Sequence, residues 1–160
     1  MGSEWYPSFV SPAGIGQSDN QFTPLQLATY AATIANDGVR LRTHVVDKVV
    51  SYSGSELIYK TEPEVMDNMG VSKTNLKEVQ KAMNMATDSY IALDDFETQI
   101  AGKTGTAENS GTDHANFICY APYDDPKIAI GVMVEHGAKT SVAIDIAKKH
   151  MNGYFDLKND

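Results

Sequence analysis

The chain has 160 residues, enough for one ordinary domain with a sizeable core, and its hydrophobic content of 42% is ordinary for a globular protein. It carries 21 acidic against 13 basic residues, a net charge of −8, which argues against nucleic acid or an anionic membrane as partner because both call for a basic surface. No apolar run approaches the ~20 residues needed to cross a bilayer, and the opening Met1-Gly2-Ser3-Glu4-Trp5 lacks the charged and apolar regions of a signal peptide.

Residues 1–21 read as irregular, with Pro7, Pro12, Gly14, Gly16 and several serines. The first helix is expected to start at Thr23, a good N-cap, followed by Pro24 at the position where a missing N–H costs nothing. Gln26 completes a capping box, and Phe22 with Leu27 can form a hydrophobic staple. Leu27, Tyr30, Ala31, Ile34 and Ala35 repeat at helical spacing, and Gly38 is placed to end the helix. A hairpin is expected over about 45–60: Val45, Val46, Val49 and Val50 favour strand, Ser53-Gly54 turns, and Leu57-Ile58-Tyr59 returns.

A second helix is expected over about 74–87, with Leu76, Val79, Met83 and Ala86 on one face, and the Met83 and Met85 pair reads as core and helix filling. Then come three strands, Gln99–Glu108, Asn116–Ala121 and Lys127–Glu135, joined by Asn109–Asp113 and by the turn Tyr123-Asp124-Asp125-Pro126. Short links imply antiparallel neighbours. Ser141 can cap a last helix that turns Ala143, Ile146, Ala147, His150 and Met151 inward. The pattern reads as one α+β domain, an antiparallel sheet flanked by helices.

Cys119 is the only cysteine, so no internal disulfide can form, and its apolar stretch marks it as a small buried hydrophobe. His44, His114, His136 and His150 have no zinc-ligand spacing, so neither a metal site nor a cofactor is expected. His114 reads as a strand-start histidine with a structural hydrogen bond, and Glu108 as an exposed strand-end carboxylate.

The chemistry concentrates in Lys103-Thr104-Gly105. Strand alternation puts Lys103 and Gly105 on one face and Thr104 on the other. Gly102 and Gly105 both weaken a strand, and close approach of a ligand backbone is one reason to keep them. An extended peptide can add to such an edge through main-chain hydrogen bonds. Lys103 supplies positive charge near a carboxylate, the threonine hydroxyls can bind a terminal carboxylate, and the N–H just after Gly105 can form half of an oxyanion hole. The tripeptide by itself is a weak signal, and taken alone it reads first as an ordinary strand with a surface lysine.

The surrounding segments carry more. Lys-Thr-Gly belongs with Ser-x-x-Lys and Ser-Asp-Asn in the serine penicillin-recognising set. Gly14-Ile15-Gly16-Gln17, Thr23-Pro24-Leu25-Gln26-Leu27-Ala28, Ile34-Ala35-Asn36-Asp37-Gly38, Ala101-Gly102-Lys103-Thr104-Gly105-Thr106-Ala107-Glu108, His114-Ala115-Asn116-Phe117 and Tyr120-Ala121-Pro122-Tyr123 occur in this order. Together they resemble the C-terminal part of the transpeptidase domain of class B penicillin-binding proteins. The resemblance runs from about residue 14 to about 152; residues 22–152 form the family-like region, 1–21 an irregular N-terminal segment and 153–160 a tail.

The resemblance implies the β-lactamase-like fold of that family and a peptidoglycan D,D-transpeptidase working through an acyl-serine intermediate. It implies stem peptides and β-lactams as partners, and a bacterial parent anchored in the cell membrane with this domain on the extracytoplasmic side. Lys103 would orient and support the substrate carboxylate and the hydroxyl chemistry, and Gly105 would permit close approach. Thr104 and Thr106 would offer carboxylate-binding hydroxyls, Thr104 the less surely because it faces away from Lys103. The Thr106 N–H would serve as oxyanion donor.

The family's nucleophile is the serine of Ser-x-x-Lys, and no serine here has lysine three residues later. Ser18-Asp19-Asn20 spells the second motif but falls just before Thr23, downstream of where the family carries it, and reads as a polar pre-helix turn. The chain is therefore expected to be a transpeptidase domain lacking its first two motifs and inactive alone. A missing N-terminal part of the same domain would be its partner, and an exposed apolar face would favour self-association. A non-catalytic penicillin-binding sensor or peptide-binding module, and a serine β-lactamase, stand as alternatives.

Overall fold

The structure, a computed structural model, describes residues 6–17 and 20–159. Ser18 and Asp19 of the Ser18-Asp19-Asn20 sequence lie outside the described residues. Pro7–Phe9 form a 3-10 turn that runs into α1 (Val10–Gly14), so part of the segment expected to be irregular is helical.

α2 (Pro24–Ala35) begins as its residues dictate. The Gln26 N–H donates to Thr23 Oγ1 at 3.2 Å, and the Thr23 N–H donates to Gln26 Oε1 at 2.8 Å. This reciprocal pair satisfies donors that the first turn leaves open. At the other end Gly38 takes a φ of +83° and donates its N–H to Thr33 O at 2.8 Å.

Four short strands follow: β1 (Val39–Leu41), β2 (Lys48–Val50), β3 (Leu57–Lys60) and β4 (Val65–Asn68). β2 and β3 form the expected hairpin, turning near Gly54 at a φ of +73°, but Val45 and Val46 precede it instead of joining it. β1 pairs antiparallel with β4 around that hairpin.

α3 (Lys73–Thr87) is capped by Ser72 Oγ, which accepts the Asn75 N–H at 3.2 Å. It buries Leu76, Met83 and Thr87, while Val79 and Met85, expected inside, are 44% and 61% exposed. Polar residues take the inner positions instead: Gln80 Nε2 donates to Ile34 O and Asn84 Nδ2 to Ile100 O, each at 2.7 Å. Thr87 Oγ1 also donates to Ile100 O, at 2.8 Å, so α3 meets this buried carbonyl with two side-chain donors.

The sheet that carries the site has three antiparallel strands, β5 (Ala101–Ala107), β6 (His114–Ala121) and β7 (Ile128–Val134), in that spatial order. Lys103 stands opposite Ile118, Thr104 opposite Phe117, and Phe117 opposite Val132. One face, with Ala115, Phe117, Cys119 and Ala121, packs on α4 (Thr140–Asn159) through Ala143, Ile144, Ala147 and Met151. The other, with Ala101 and Tyr120, packs on Ile34 of α2 and Leu76 and Met83 of α3. Full burial of a side chain such as Phe117 or Met151 stabilises by about 1.5–3 kcal/mol. The result is α+β: helices on both faces of an antiparallel sheet.

Glycine sets the distance between two layers. A Cβ on Gly131 of β7 would lie 2.7 Å from Pro24 O and 2.8 Å from Ala28 N, so α2 rests directly on the strand there.

The last helix differs from expectation at three points. It starts at Thr140, so Ser141 is its second residue and not its cap. Its buried stripe runs through Ile144, which leaves His150 exposed with its ring Nδ1 2.8 Å from Ile146 O. It also continues to Asn159, through most of the stretch read as a tail.

Candidate substrate-binding edge

β5 borders the sheet, so one side of its backbone faces away from β6. In an antiparallel strand the N–H and C=O of one residue point the same way, and successive residues alternate between the partner strand and the free side. Thr104 and Thr106 are the free-side residues of the motif. Thr104 O accepts from Lys103 Nζ at 3.0 Å, and the Thr104 N–H donates to Tyr90 Oη at 3.4 Å. Thr106 O accepts from Gln17 Nε2 at 3.3 Å. The Thr106 N–H points the same way and has no acceptor among the described residues.

The two glycines of the strand have different reasons to be there. A Cβ on Gly102 would lie 2.8 Å from Phe117 Cζ and 2.9 Å from Ile118 O, so the Phe117 ring occupies its place. Gly102 is thus explained by packing inside the chain, not by approach of a ligand. A Cβ on Gly105 would meet only Asn116 Cβ, at 3.5 Å, an ordinary contact. Space above Gly105 is open.

That space belongs to a cleft of about 870 Å³ between the β5 edge, Ile15–Gln17 and the start of α2. Lys103, Gly105, Asn116 and Ile118 line it from the sheet, and Phe22, Leu27 and Tyr30 from the opposite wall. Among the described lining residues Lys103 is the only lysine or arginine, and none is acidic. A cleft of this make-up favours an anionic ligand with apolar parts.

The structure brings Lys103, Thr104, Gly105 and Thr106 to this one cleft. By register, however, Thr104 and Thr106 both share the face of Phe117 and Ala115, opposite to Lys103. The Thr104 hydroxyl lies 3.2 Å from Tyr90 Oη. Tyr90 sits just beyond α3 and packs edge-on against Phe117, with ring centroids 6.1 Å apart. Neither Tyr90 nor Gln17 stands out in the sequence as a partner of β5, since they lie 14 and 89 residues from the atoms they bind.

His114 lines the cleft but is tied into the β5–β6 connection. Its Nδ1 accepts the His136 N–H at 3.0 Å, and the two imidazole rings meet edge-on at 5.0 Å. His136 Nδ1 in turn lies 2.9 Å from Thr112 O. These contacts fit a structural histidine. Glu108 is exposed at the strand end. Tyr120 lies on the α2–α3 side of the sheet, where burial, followed by the nearby Tyr123 and Asp37, pushes its phenol up to about 12. Its hydroxyl is buried without a hydrogen-bond partner among the described residues and lies outside the cleft.

Comparison with known proteins identifies the family. The model of the penicillin binding protein transpeptidase domain matches residues 1–152. Penicillin-binding protein 2A of Bacillus subtilis is 32% identical over 99% of this chain and 25% of its own length. The peptidoglycan D,D-transpeptidase PbpA of Mycolicibacterium smegmatis is 42% identical over 78% of this chain and 26% of its own. Among solved structures, the imipenem acyl-enzyme complex of penicillin-binding protein A from M. tuberculosis superposes with a TM-score of 0.83 at 32% identity, covering 91% of this chain and 34% of that one. The chain thus spans about a quarter of the length of these curated relatives.

Proposed function

The chain belongs to the penicillin-binding protein transpeptidase family, class B, and from that premise we propose that it forms the Lys-Thr-Gly wall of a peptidoglycan D,D-transpeptidase whose nucleophile lies elsewhere in the same protein. The observation that carries the reading is the free N–H of Thr106 on the exposed edge of β5, beside the Lys103 ammonium in a cleft without described acids. A donor fixed at that place stabilises the oxyanion of an acyl-transfer intermediate, and the lysine attracts the terminal carboxylate of the substrate.

The reaction follows from these parts. A serine Oγ attacks the carbonyl of the penultimate residue of a D-alanyl-D-alanine stem peptide. The C–N bond breaks, its nitrogen takes the proton given up by the serine hydroxyl, and the last D-alanine leaves as the free amine. An amine from a neighbouring stem peptide then attacks the serine ester, the cross-link amide forms, and the serine recovers its proton. A β-lactam follows the first half only: its ring C–N bond opens, the ring nitrogen takes the proton, and the acyl group stays on the serine. Lys103 and the Thr106 N–H serve both sequences, and Gly105 leaves room for the acyl chain above the strand.

The Thr104 hydroxyl, which faces Tyr90, supports the strand's shape more directly than it supports a carboxylate. The parent would be membrane-anchored, with this domain on the outer side where peptidoglycan is found. The free side of β7, which pairs only with β6 among the described strands, would favour association of the isolated chain, readable by light scattering.

The test uses a fluorescent penicillin. The full-length protein labels covalently at a Ser-x-x-Lys serine, and its Lys103→Ala variant labels more slowly. The chain of residues 1–160 alone does not label. Stoichiometric acylation of a serine within residues 1–160 would overturn the reading, as would failure of the full-length protein to label.

A further inference from the structure

Two histidines tie the end of β5 to the rest of the chain. By the alternation that leaves Thr104 and Thr106 on the free side, Lys103, Gly105 and Ala107 turn their N–H and C=O toward β6. Ala107 stands opposite His114 in the last pair of that ladder, so His114 clamps the residue that follows Thr106. The connection between β7 and α4 holds His114 in turn. The His114 Nδ1 accepts the His136 N–H at 3.0 Å, and the Ala138 N–H donates to Asp113 O at 3.1 Å. His136 and Ala138 take φ values of +53° and +57°. Such left-handed values are costly for a residue with a Cβ and persist where the surroundings impose them.

The His114 ring sits among donors. Asn109 Nδ2 lies 3.4 Å from its Nδ1 and 3.3 Å from its Nε2. That amide is locked in orientation, because Nδ2 also donates to Thr112 O at 2.8 Å and Oδ1 accepts the Gly111 N–H at 2.7 Å. A neutral imidazole keeps one bare nitrogen as an acceptor, whereas an imidazolium keeps none. A proton on His114 Nδ1 would therefore point at the His136 N–H. Titratable and charged residues on the surrounding elements are Glu108 and Asp113 of the β5–β6 connection, Glu135, His136 and Lys139 of the β7–α4 connection, and Lys103 and Tyr30 in the cleft. Among the described residues no ion pair joins either imidazole to an acid, so no carboxylate is in place to compensate such a proton.

We propose that His114 is a positioning residue for acylation: its neutral ring fixes Ala107, and through it the aim of the Thr106 N–H, and its protonation releases that end of β5. This inference rests on the transpeptidase reading above.

The test measures second-order acylation by a fluorescent penicillin on the full-length protein from about pH 8 to about pH 5, the span in which histidine changes charge. The wild-type rate should fall with acid. His114→Asn keeps an acceptor near the Nδ1 position and cannot titrate. Its fall over the same span should be smaller by about tenfold, the worth of one hydrogen bond lost with its donor left unpaired. His136→Asn keeps the backbone N–H, suits a left-handed φ and removes the other imidazole, so it should keep the wild-type fall. Hydrogen exchange of the wild type reads the same event without a variant: protection of residues 107–114, corrected for intrinsic rate, should drop over that span. Equal falls for wild type and His114→Asn overturn the inference, as does a fall abolished by His136→Asn. Should the asparagine variants fold poorly, unchanged protection in the wild type overturns it as well. All three results leave the transpeptidase reading intact. A wild type that is acylated at no pH overturns that reading, and the role given to His114 with it.

Discussion

The Tyr90 hydroxyl accepts the Thr104 N–H at 3.4 Å and lies 3.2 Å from Thr104 Oγ1, so one side chain serves both the backbone N–H and the hydroxyl of the central motif residue. It reaches them while its ring packs on Phe117, the residue opposite Thr104 across the sheet. Tyr90→Phe keeps the ring and removes the hydroxyl. A cost of about 0.5–1.5 kcal/mol in urea unfolding is expected, the usual worth of one exchanged hydrogen bond. An unchanged midpoint would show that water replaces the hydroxyl fully.

The two glycines of β5 should respond in opposite ways. Gly102→Ala forces a methyl into the Phe117 ring at 2.8 Å, and overpacking of this kind costs about 1–3 kcal/mol. Gly105→Ala meets only Asn116 Cβ at 3.5 Å, so its folding stability should stay within about 1 kcal/mol of wild type. In the full-length protein Gly105→Ala should instead slow acylation by a fluorescent penicillin, since its methyl projects into the cleft. Equal destabilisation by both changes would contradict this division of roles.

Which parts of this arrangement can be read from sequence follows from the range of the interactions that specify them. The Thr23 cap is local: its two hydrogen bonds span three residues, and the pattern is visible at once. β6, β7 and α4 carry long apolar periodicities that few other structures would satisfy. β1 and β4 have three and four residues and are separated by an intervening hairpin, too short for periodicity to register. On α3, Gln80 and Asn84 turn inward to donate to carbonyls of other segments, Ile34 O and Ile100 O, while Val79 is exposed, and contacts between distant segments leave no periodic trace. Within the site, Lys103-Thr104-Gly105-Thr106 is legible as a motif, but which of its groups stay free depends on Tyr90 and Gln17. Those contacts exist only after folding.

Cys119 should report global unfolding. It is fully buried in β6, and burial pushes its thiol up to about 12. At pH 8 such a thiol is ionised in only about one molecule in ten thousand, and an alkylating reagent cannot reach it. Alkylation of the native chain should therefore track the denaturant-dependent population of open molecules. Fast labelling without denaturant would mean that the β6–α4 contact opens locally.

Acid should loosen the segment between α3 and β5 through one identifiable contact. Lys148 of α4 binds the Asp95 carboxylate and also donates to Ala92 O at 3.0 Å, which ties this segment to the helix. The hydrogen bond from Lys148, then one from the Asp95 backbone, then the lysine's charge, hold the Asp95 carboxyl below its ordinary value of 3.8. A depressed carboxylate stabilises the fold above its unfolded value and loses that contribution as pH falls through its folded value. The contact should thus act fully at neutral pH and fade below 3.8. Its size is small, because the Asp95 side chain is 79% exposed and solvent screens the pair. Asp95→Asn should lower Tm slightly at neutral pH, and the gap from wild type should close on acidification. Lys148→Met should cost more at neutral pH and keep part of its deficit in acid, since it also removes the donor to Ala92 O. A gap for Asp95→Asn that stays constant from neutral to acid pH would show that the carboxylate's charge contributes nothing to the tether.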